Sequence, residues 1–193
     1  MGYKKAKNWK GLLHNIWFFI WEDDSLESWV VNIILTLLIV KFVVYPLLGL
    51  ILSTSYPVVA VVSGSMEHNG LSFGSWWEEN KNWYEDNGFT KETLENSKLK
   101  GGFNKGDIIV LKGAKPEKVT PGDIIVYTTD RYKYPIIHRV TKITGAAVFE
   151  TKGDNNPNPD PSPVNKEQIV GKAVFRIPWL GWLKILFTSL IGG

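Results

Sequence analysis

The chain contains no cysteine among its 193 residues, which excludes a thiolate nucleophile, a cysteine-based zinc site and any disulfide. It also has little excess charge, because 22 basic residues stand against 19 acidic ones and give a formal net charge of +3. So small an excess does not indicate a nucleic-acid partner. Core-forming residues are plentiful, since 44% of the chain is hydrophobic, and this composition argues against intrinsic disorder.

A long apolar run occupies residues 29–53. At about 1.5 Å per helical residue, the run can cross a hydrocarbon layer about 30 Å thick, and we predict a transmembrane helix. A cleavable signal peptide would have a shorter apolar stretch nearer the N-terminus. Basic residues favour the cytoplasmic side of a span. We therefore expect the N-terminus in the cytoplasm and the chain that follows the span on the outer side of the cytoplasmic membrane. The lysines that support this orientation are Lys4, Lys5, Lys7 and Lys10.

Further apolar segments lie on both sides of this run and at the end of the chain. Within the N-terminal segment 1–28, the stretch at 9–21 is aromatic and basic at its start, which is typical of a helix lying at a membrane surface. The C-terminal segment 177–193 is too short for a certain span, so a short second membrane helix and an interfacial helix both remain open. Lys41 is costly in hydrocarbon; it either has a functional or pairing role or is tolerated by reaching toward water.

Residues 54–176 have the pattern of a β domain. Short runs rich in Ile and Val alternate with Gly, Pro, Asn and Asp, as in DIIVL, DIIVY and YPIIHRVTKI, and each run predicts a strand. Asp107 and Asp123 both follow a glycine, where we interpret them as turn residues. The expected fold is therefore mainly β, with an N-terminal transmembrane helix, a helical insert and a short C-terminal apolar helix.

The insert is the polar stretch at 67–104, which is rich in Trp and Glu and has a helix-forming composition. A helix is expected to begin near Thr90, because threonine is a good N-cap. The aromatic residues of the insert lie near one another and suggest a helix facing a membrane or a partner, with packing on the β domain as the alternative. If the helix faces a membrane or a partner, a short Gly-Ser loop could replace the insert with little loss of activity.

Three polar clusters contain groups suited to nucleophilic catalysis, although each one alone is more typical of ordinary structure. Ser63 and Ser65 flank a glycine after an apolar strand, where a tight bend can expose a side chain. His138 lies in a strand, and an imidazole titrates near neutrality as a general base should. Asp154 and Asp160 lie in a loop rich in Asn and Pro, where an Asx turn is the simplest interpretation.

Taken together, these clusters resemble type I signal peptidases. The resemblance rests on SGSM after a membrane helix, the GDIIV strands, HRV, and TKGDNN with a second aspartate six positions beyond the first. It covers most of the chain outside the N-terminal tail and the 67–104 insert. It is strongest to archaeal enzymes and to the catalytic subunit of the eukaryotic, endoplasmic-reticulum-type complex, because bacterial relatives have a lysine where this sequence has His138.

The resemblance implies a role for each matching residue. Ser65 is expected to be the nucleophile, His138 its general base, and Asp160 the residue that orients the imidazole. Asp154 is expected to be a supporting carboxylate, acting through turn-forming hydrogen bonds to nearby backbone N–H groups. The Ser63 hydroxyl and the Ser65 backbone N–H are expected to form the oxyanion hole. The implied chemistry is acyl transfer through an acyl-enzyme, with no metal or organic cofactor.

The same resemblance implies that the substrates are secretory preproteins, cut at the extracytoplasmic face of the cytoplasmic membrane. Membrane lipid is an expected contact, nucleic acid is not, and further membrane subunits are left open. Two other functions remain: a catalytically silent membrane-anchored β module that binds exported chains, and a Ser-Lys regulatory peptidase with Lys142 or Lys152 as base. One departure from the family is His68, which stands where proline is usual and could compete with His138 as the base.

Overall fold

The computed structural model describes residues 8–145 and 147–191. It divides the chain into two compact units, Met1–Leu48 and Gly49–Gly193. Three of the lysines that support the expected orientation lie outside the described residues: Lys4, Lys5 and Lys7.

The first unit is helical. Helix α1, Trp9–Trp21, coincides with the stretch predicted to lie at a membrane surface, and α2 follows at Leu26–Ile39. The Ser25 hydroxyl caps the N-terminus of α2 by accepting a backbone hydrogen bond. Asn32 Nδ2 on α2 donates to the carbonyl of Ile20 on α1 at 2.9 Å. This bond, formed by the amide of an otherwise apolar helix, holds α1 against α2.

A continuous helical stretch contains the predicted transmembrane run. Helix α2 continues through a π-helical turn, Val40–Val44, into α3, Tyr45–Leu52. The turn contains Lys41 and lies just before Pro46, which lacks the N–H that a regular α-helix would use, so the wider π turn is accounted for. The whole stretch, Leu26–Leu52, has 27 residues and a mean hydropathy of 2.4 in its most apolar window, enough by length and composition to cross a membrane.

The second unit is built on a seven-stranded sheet with the strand order β1-β2-β7-β3-β4-β5-β6. Neighbouring strands are antiparallel throughout. The sheet confirms the mainly β fold class expected from the sequence. The strands are β1 Val58–Ala60, β2 Ile108–Lys112, β3 Ile124–Thr129, β4 Tyr132–Thr144, β5 Val148–Lys152, β6 Val164–Asn165 and β7 Ile169–Ile177.

Strand β3 is buried on both faces of the sheet. Ile124 and Val126 belong to one apolar cluster, whereas Ile125 and Tyr127 belong to another. Because successive side chains of a strand point to opposite faces, each cluster covers one face. This arrangement explains why β3 begins as a continuous apolar run rather than an alternating one.

The two aspartates that follow glycine have the turn roles expected from the sequence. Asp107 Oδ2 accepts the Asn104 N–H at 2.8 Å, and Asp123 Oδ2 accepts the Thr120 N–H at 2.9 Å. Each bond closes a turn immediately before a strand.

The insert contains two helices, α4 at Phe73–Asp86 and α5 at Lys91–Glu95. Helix α5 begins where the sequence predicts, because Thr90 Oγ1 accepts the Thr93 N–H at 3.2 Å. The aromatic side chains of α4 do not form an exposed face: Trp76 and Trp77 are 3% and 2% exposed. The interpretation of these residues as membrane-facing or partner-facing is wrong, and packing within the second unit is correct. They share an apolar cluster with Tyr84, Phe89 and Leu94.

Replacing residues 73–95 by a short Gly-Ser loop is therefore expected to unfold the second unit. The replacement removes five buried apolar or aromatic side chains, each contributing about 1.5–3 kcal/mol, against a total stability of about 5–15 kcal/mol. Thermal unfolding followed by circular dichroism measures the effect, with the exposed-site variant Glu85→Ala as the control. A replaced protein that melts like the wild type and still cleaves a soluble peptide would contradict this expectation.

Helix α6, Trp182–Ile191, forms the C-terminal apolar segment. Its 10 residues extend about 15 Å, half the thickness of a hydrocarbon layer. Leu183, Phe187 and Leu190 are exposed on α6, as both an interfacial helix and a short membrane helix require. Both alternatives stay predictions.

Candidate active site

Ser65 lies in a tight turn that follows β1 and is held by another loop. The carbonyl of Gly64 accepts the Glu67 N–H at 3.1 Å, which closes the turn. The carbonyl of Ser65 accepts the Asn155 N–H at 2.8 Å, and Asn155 Nδ2 donates to the Gly64 carbonyl at 3.0 Å. Met66 is 1% exposed and anchors the end of the turn in the core. These contacts fix the backbone of the turn, which presents the Ser65 hydroxyl.

The three residues expected to form a triad lie in hydrogen-bonding order. His138 Nε2 is 3.0 Å from Ser65 Oγ, and His138 Nδ1 is 2.6 Å from Asp160 Oδ2. Strand β4 places His138 opposite Ile125 of the buried strand β3, and this pairing fixes the backbone of His138. The imidazole side chain is 9% exposed and the Asp160 side chain 14% exposed. Residues 73 positions apart in sequence are therefore in contact.

Asp160 is held as an acceptor by several donors. Besides His138, Oδ2 accepts the Thr151 hydroxyl at 2.6 Å and the Tyr127 hydroxyl at 2.9 Å. Burial acts to raise the pKa of Asp160, but the hydrogen bond of His138, with those of the two hydroxyls, holds that pKa below its usual value. An ionised Asp160 requires the proton on Nδ1 of His138. The Nε2 atom is then free to accept the Ser65 proton, as a general base must.

The expected oxyanion-hole groups lie next to the nucleophile candidate. Ser63 Oγ is 3.3 Å from Ser65 Oγ. Within residues 8–145 and 147–191, the Ser65 N–H donates no hydrogen bond. Both groups therefore remain able to donate to a developing oxyanion.

Asp154 belongs to a separate, buried cluster. Its carboxylate accepts two bonds from Arg139, at 2.8 and 2.6 Å, one from His68 Nε2 at 3.0 Å and one from the Tyr84 hydroxyl at 3.3 Å. Burial acts to raise the pKa of Asp154, but the charge and hydrogen bonds of Arg139, and then the hydrogen bond of His68, hold that pKa well below its usual value. Burial and the adjacent Asp154 charge raise the pKa of Tyr84.

This cluster corrects one sequence-based expectation and bears on one alternative. The Asp154 carboxylate was expected to bond nearby backbone N–H groups, but its partners are side chains far away in sequence. The reason is that Arg139, buried on β4, requires a buried counter-charge. His68 was a possible rival base, but its Nε2 bonds Asp154 and not Ser65.

The two lysines of the Ser-Lys alternative do not contact Ser65. Lys142 Nζ pairs with Glu150 at 3.8 Å at the surface. Lys152 is buried, and its Nζ donates to the Gly153 carbonyl at 3.2 Å and lies 4.9 Å from the centre of the Trp83 ring. Burial lowers the pKa of Lys152, yet the one hydrogen bond that its Nζ donates within the described residues goes to the Gly153 carbonyl and not to Ser65. Of the four basic side chains that could act as the base, only His138 hydrogen-bonds Ser65 within the described residues; the other three are His68, Lys142 and Lys152.

A cleft of about 690 Å³ opens beside Ser65 and His138. Its walls are largely apolar, with a proline-rich rim from the loop that carries Asp160. Apolar lining residues include Ala60, Val62, Phe103, Pro135 and Ile137. A cleft of this kind suits an apolar stretch of chain better than a charged small molecule.

Sequence reasoning missed the partners that hold the two aspartates. Thr151 and Tyr127 are ordinary strand residues in the sequence, and only the pairing of strands brings their hydroxyls to Asp160. Arg139 carried a usable signal, because it follows His138 in a strand and an arginine among apolar strand residues needs a buried partner.

Comparison with known proteins finds relatives among signal peptidase complex catalytic subunits. No family model matches the chain. It is 30% identical over 98 residues to the signal peptidase complex catalytic subunit SEC11C of Homo sapiens, covering 45% of this chain and 51% of the relative. It is 28% identical over 159 residues to the SEC11 subunit of Scheffersomyces stipitis, covering 77% and 75%. It is 35% identical over 98 residues to the SEC11 subunit of Colletotrichum graminicola, covering 45% and 57%.

A serine, an imidazole and a carboxylate linked in this order have the arrangement of a serine hydrolase site. More particularly, the chain is similar to signal peptidase complex catalytic subunits of the SEC11 type, which confirms the family resemblance seen in the sequence. It spans about half the length of the first curated relatives that it matches.

Proposed function

We propose that this protein is a membrane-bound serine endopeptidase that removes signal peptides from secretory preproteins. The observation that carries the proposal is the hydrogen-bonded series Ser65, His138 and Asp160 at the edge of an apolar cleft. A silent binding module would have no need for an imidazole held in the base tautomer against a serine. The relatives are catalytic subunits of signal peptidase complexes by name, which favours the same substrate class and further subunits.

In the proposed mechanism, Ser65 Oγ attacks the scissile carbonyl while His138 Nε2 takes the hydroxyl proton. Asp160 keeps the Nδ1 proton in place and stabilises the imidazolium. The Ser63 hydroxyl and the Ser65 N–H donate to the oxyanion of the tetrahedral intermediate. His138 then gives its Nε2 proton to the leaving amine, which leaves an acyl group on Ser65. A water molecule, deprotonated by His138, hydrolyses this ester and returns the serine to its starting state.

A cleavage assay in detergent tests the proposal. Wild-type protein is expected to cut a labelled preprotein at one bond after its apolar segment, whereas Ser65→Ala leaves the preprotein intact. Ser189→Ala, which changes an exposed serine on α6, serves as the matched control and is expected to cleave like the wild type. Absence of cleavage by folded wild-type protein, or equal cleavage by Ser65→Ala, would refute the proposal.

We further propose that the second unit lies on the extracytoplasmic face of the cytoplasmic membrane. Basic residues such as Lys10 precede the apolar helix Leu26–Leu52, and they favour a cytoplasmic N-terminus. Protease added to right-side-out vesicles is expected to reach the second unit. Protection of that unit together with digestion of the N-terminal tail would overturn both the orientation and the substrate class.

A further inference from the structure

His68 occupies a position unlike any other histidine in the protein. Its ring is 3% exposed and stacks on Trp76 of α4, with ring centres 4.1 Å apart and planes 4° from parallel. Its Nε2 lies 3.0 Å from Asp154 Oδ2. The imidazole therefore joins the insert to the loop that contains Asp154.

The direction of this hydrogen bond follows from the charges around it. Arg139 Nη2 contacts the same Asp154 oxygen at 2.6 Å, so the carboxylate is ionised and can only accept. His68 Nε2 must then carry the proton. Within the described residues, His68 Nδ1 is buried without a hydrogen-bond partner. This fits an unprotonated ring nitrogen better than an N–H, because a buried N–H without an acceptor is costly. The ring is thus a neutral donor with its flat face packed on Trp76.

Asp154 connects this donor to the nucleophile candidate through its own backbone. Its N–H points to the Met66 sulfur at 3.3 Å. The next residue, Asn155, donates its backbone N–H to the Ser65 carbonyl and its side-chain amide to the Gly64 carbonyl, at 2.8 and 3.0 Å. A shift of this loop would therefore move hydrogen-bond donors on both sides of Ser65.

Asn69 provides a second connection between the same elements. Its Nδ2 donates to Asn155 Oδ1 at 3.1 Å. The residue that follows His68 therefore contacts the residue that follows Asp154. The two neighbouring pairs form a seam between the start of the insert and the loop that supports Ser65.

We infer that His68 is a positioning residue for Ser65: its Nε2–H, held by the stack on Trp76, fixes the Asp154 loop that supports the serine turn. The insert is then part of the catalytic apparatus and not an appendage to it. This inference rests on the proposed peptidase function. Its expected size follows from geometry, because a displacement of about 1 Å at a reacting atom can cost about 10²-fold in rate.

Two amide substitutions separate positioning from bulk packing. In His68→Gln, the side-chain Nε2–H can reach the place of the imidazole Nε2, whereas the shorter amide of His68→Asn cannot. His68→Phe keeps a ring against Trp76 but removes the donor. The third histidine, His14, is exposed on α1, and His14→Gln is the matched control.

The readouts are kcat and KM for preprotein cleavage, the rate at which a small fluorophosphonate modifies Ser65, and Tm. We expect His68→Asn and His68→Phe to lower kcat and the fluorophosphonate rate by about 10²-fold, with KM changed less than about threefold. His68→Gln is expected to recover at least about tenfold of that loss, and His14→Gln to match the wild type. Equal rates for the Gln and Asn variants, or a lowered Tm with unchanged kcat and labelling, would overturn the inference.

Two further outcomes keep the test decisive. Where His68→Phe does not fold, the Gln and Asn pair still decides, because the two side chains differ only in reach. Where wild-type protein cleaves no preprotein, the proposed function fails, yet fluorophosphonate labelling of Ser65 continues to test the positioning role on its own.

Discussion

Replacing His138 by alanine is expected to lower kcat for preprotein cleavage by about 10⁶-fold, the scale seen when a base is removed from a serine protease triad. The reason is that His138 Nε2 is the only basic group hydrogen-bonded to Ser65 Oγ within the described residues. The fold is expected to survive, because Tyr127 and Thr151 still satisfy the Asp160 carboxylate. Single-turnover cleavage and Tm, measured on the same preparation, separate the two effects.

The same substitution at His68 provides the contrast. His68→Ala removes a positioning contact, and its loss in kcat is expected to be about 10²-fold, far smaller than the loss in His138→Ala. A folded His68→Ala protein as inactive as Ser65→Ala would show that the base has been misassigned. Substantial cleavage by His138→Ala would do the same and would revive a lysine base.

The strands and the apolar helix were predictable because their signals are local. Alternating or continuous runs of Ile and Val report burial on one or both faces of a sheet, and β3 and β7 lie where such runs occur. The length of the apolar helix follows from its composition alone. The signal for the start of α5 was also local, because Thr90 Oγ1 accepts a backbone N–H from three residues further along the chain.

The candidate site was predictable only through the family resemblance. Ser65 and His138 are 73 positions apart, and no periodicity in a sequence specifies a contact at that separation. The resemblance assigns Asp160 as the orienting acid, and its two flanking prolines, Pro159 and Pro161, restrict its backbone. The structure adds a reason that no local pattern contains, a bond from the Asp160 N–H to the Thr151 carbonyl at 2.8 Å.

The insert illustrates why an aromatic helix is hard to interpret from sequence. Trp76, Trp77 and Tyr84 mark an apolar stripe, but a stripe does not specify whether protein or membrane covers it. What decides is a polar partner outside the helix: the Tyr84 hydroxyl bonds Asp154, and Trp76 stacks on His68. Asp154 and His68 are both identifiable in the sequence, but no local pattern predicts that they contact the side chains of α4.

Asp160→Asn is expected to lower kcat by about 10⁴-fold with little change in Tm, the scale known for the corresponding change in a triad protease. The asparagine amide can donate to His138 Nδ1, which moves the imidazole proton to Nε2. A protonated Nε2 cannot accept the Ser65 proton, so the base is lost while the ring stays in place. The Thr151 and Tyr127 hydroxyls contact the same Asp160 oxygen as His138, and one of them can accept the second amide hydrogen, which limits the disturbance of the local packing.

Asp154→Asn is expected to show the opposite balance, with the larger loss in stability and the smaller loss in turnover. Neutralising Asp154 leaves Arg139, 1% exposed, as a buried cation without its counter-charge, a change that costs about 3–5 kcal/mol. The His68 Nε2–H can still donate to the amide oxygen, so the support of Ser65 is weakened but not removed. Thermal unfolding and kcat on folded protein test the ranking. If turnover falls further for Asp154→Asn than for Asp160→Asn, the two roles must be exchanged, because the orienting acid of a triad is the one whose charge sets the imidazole tautomer.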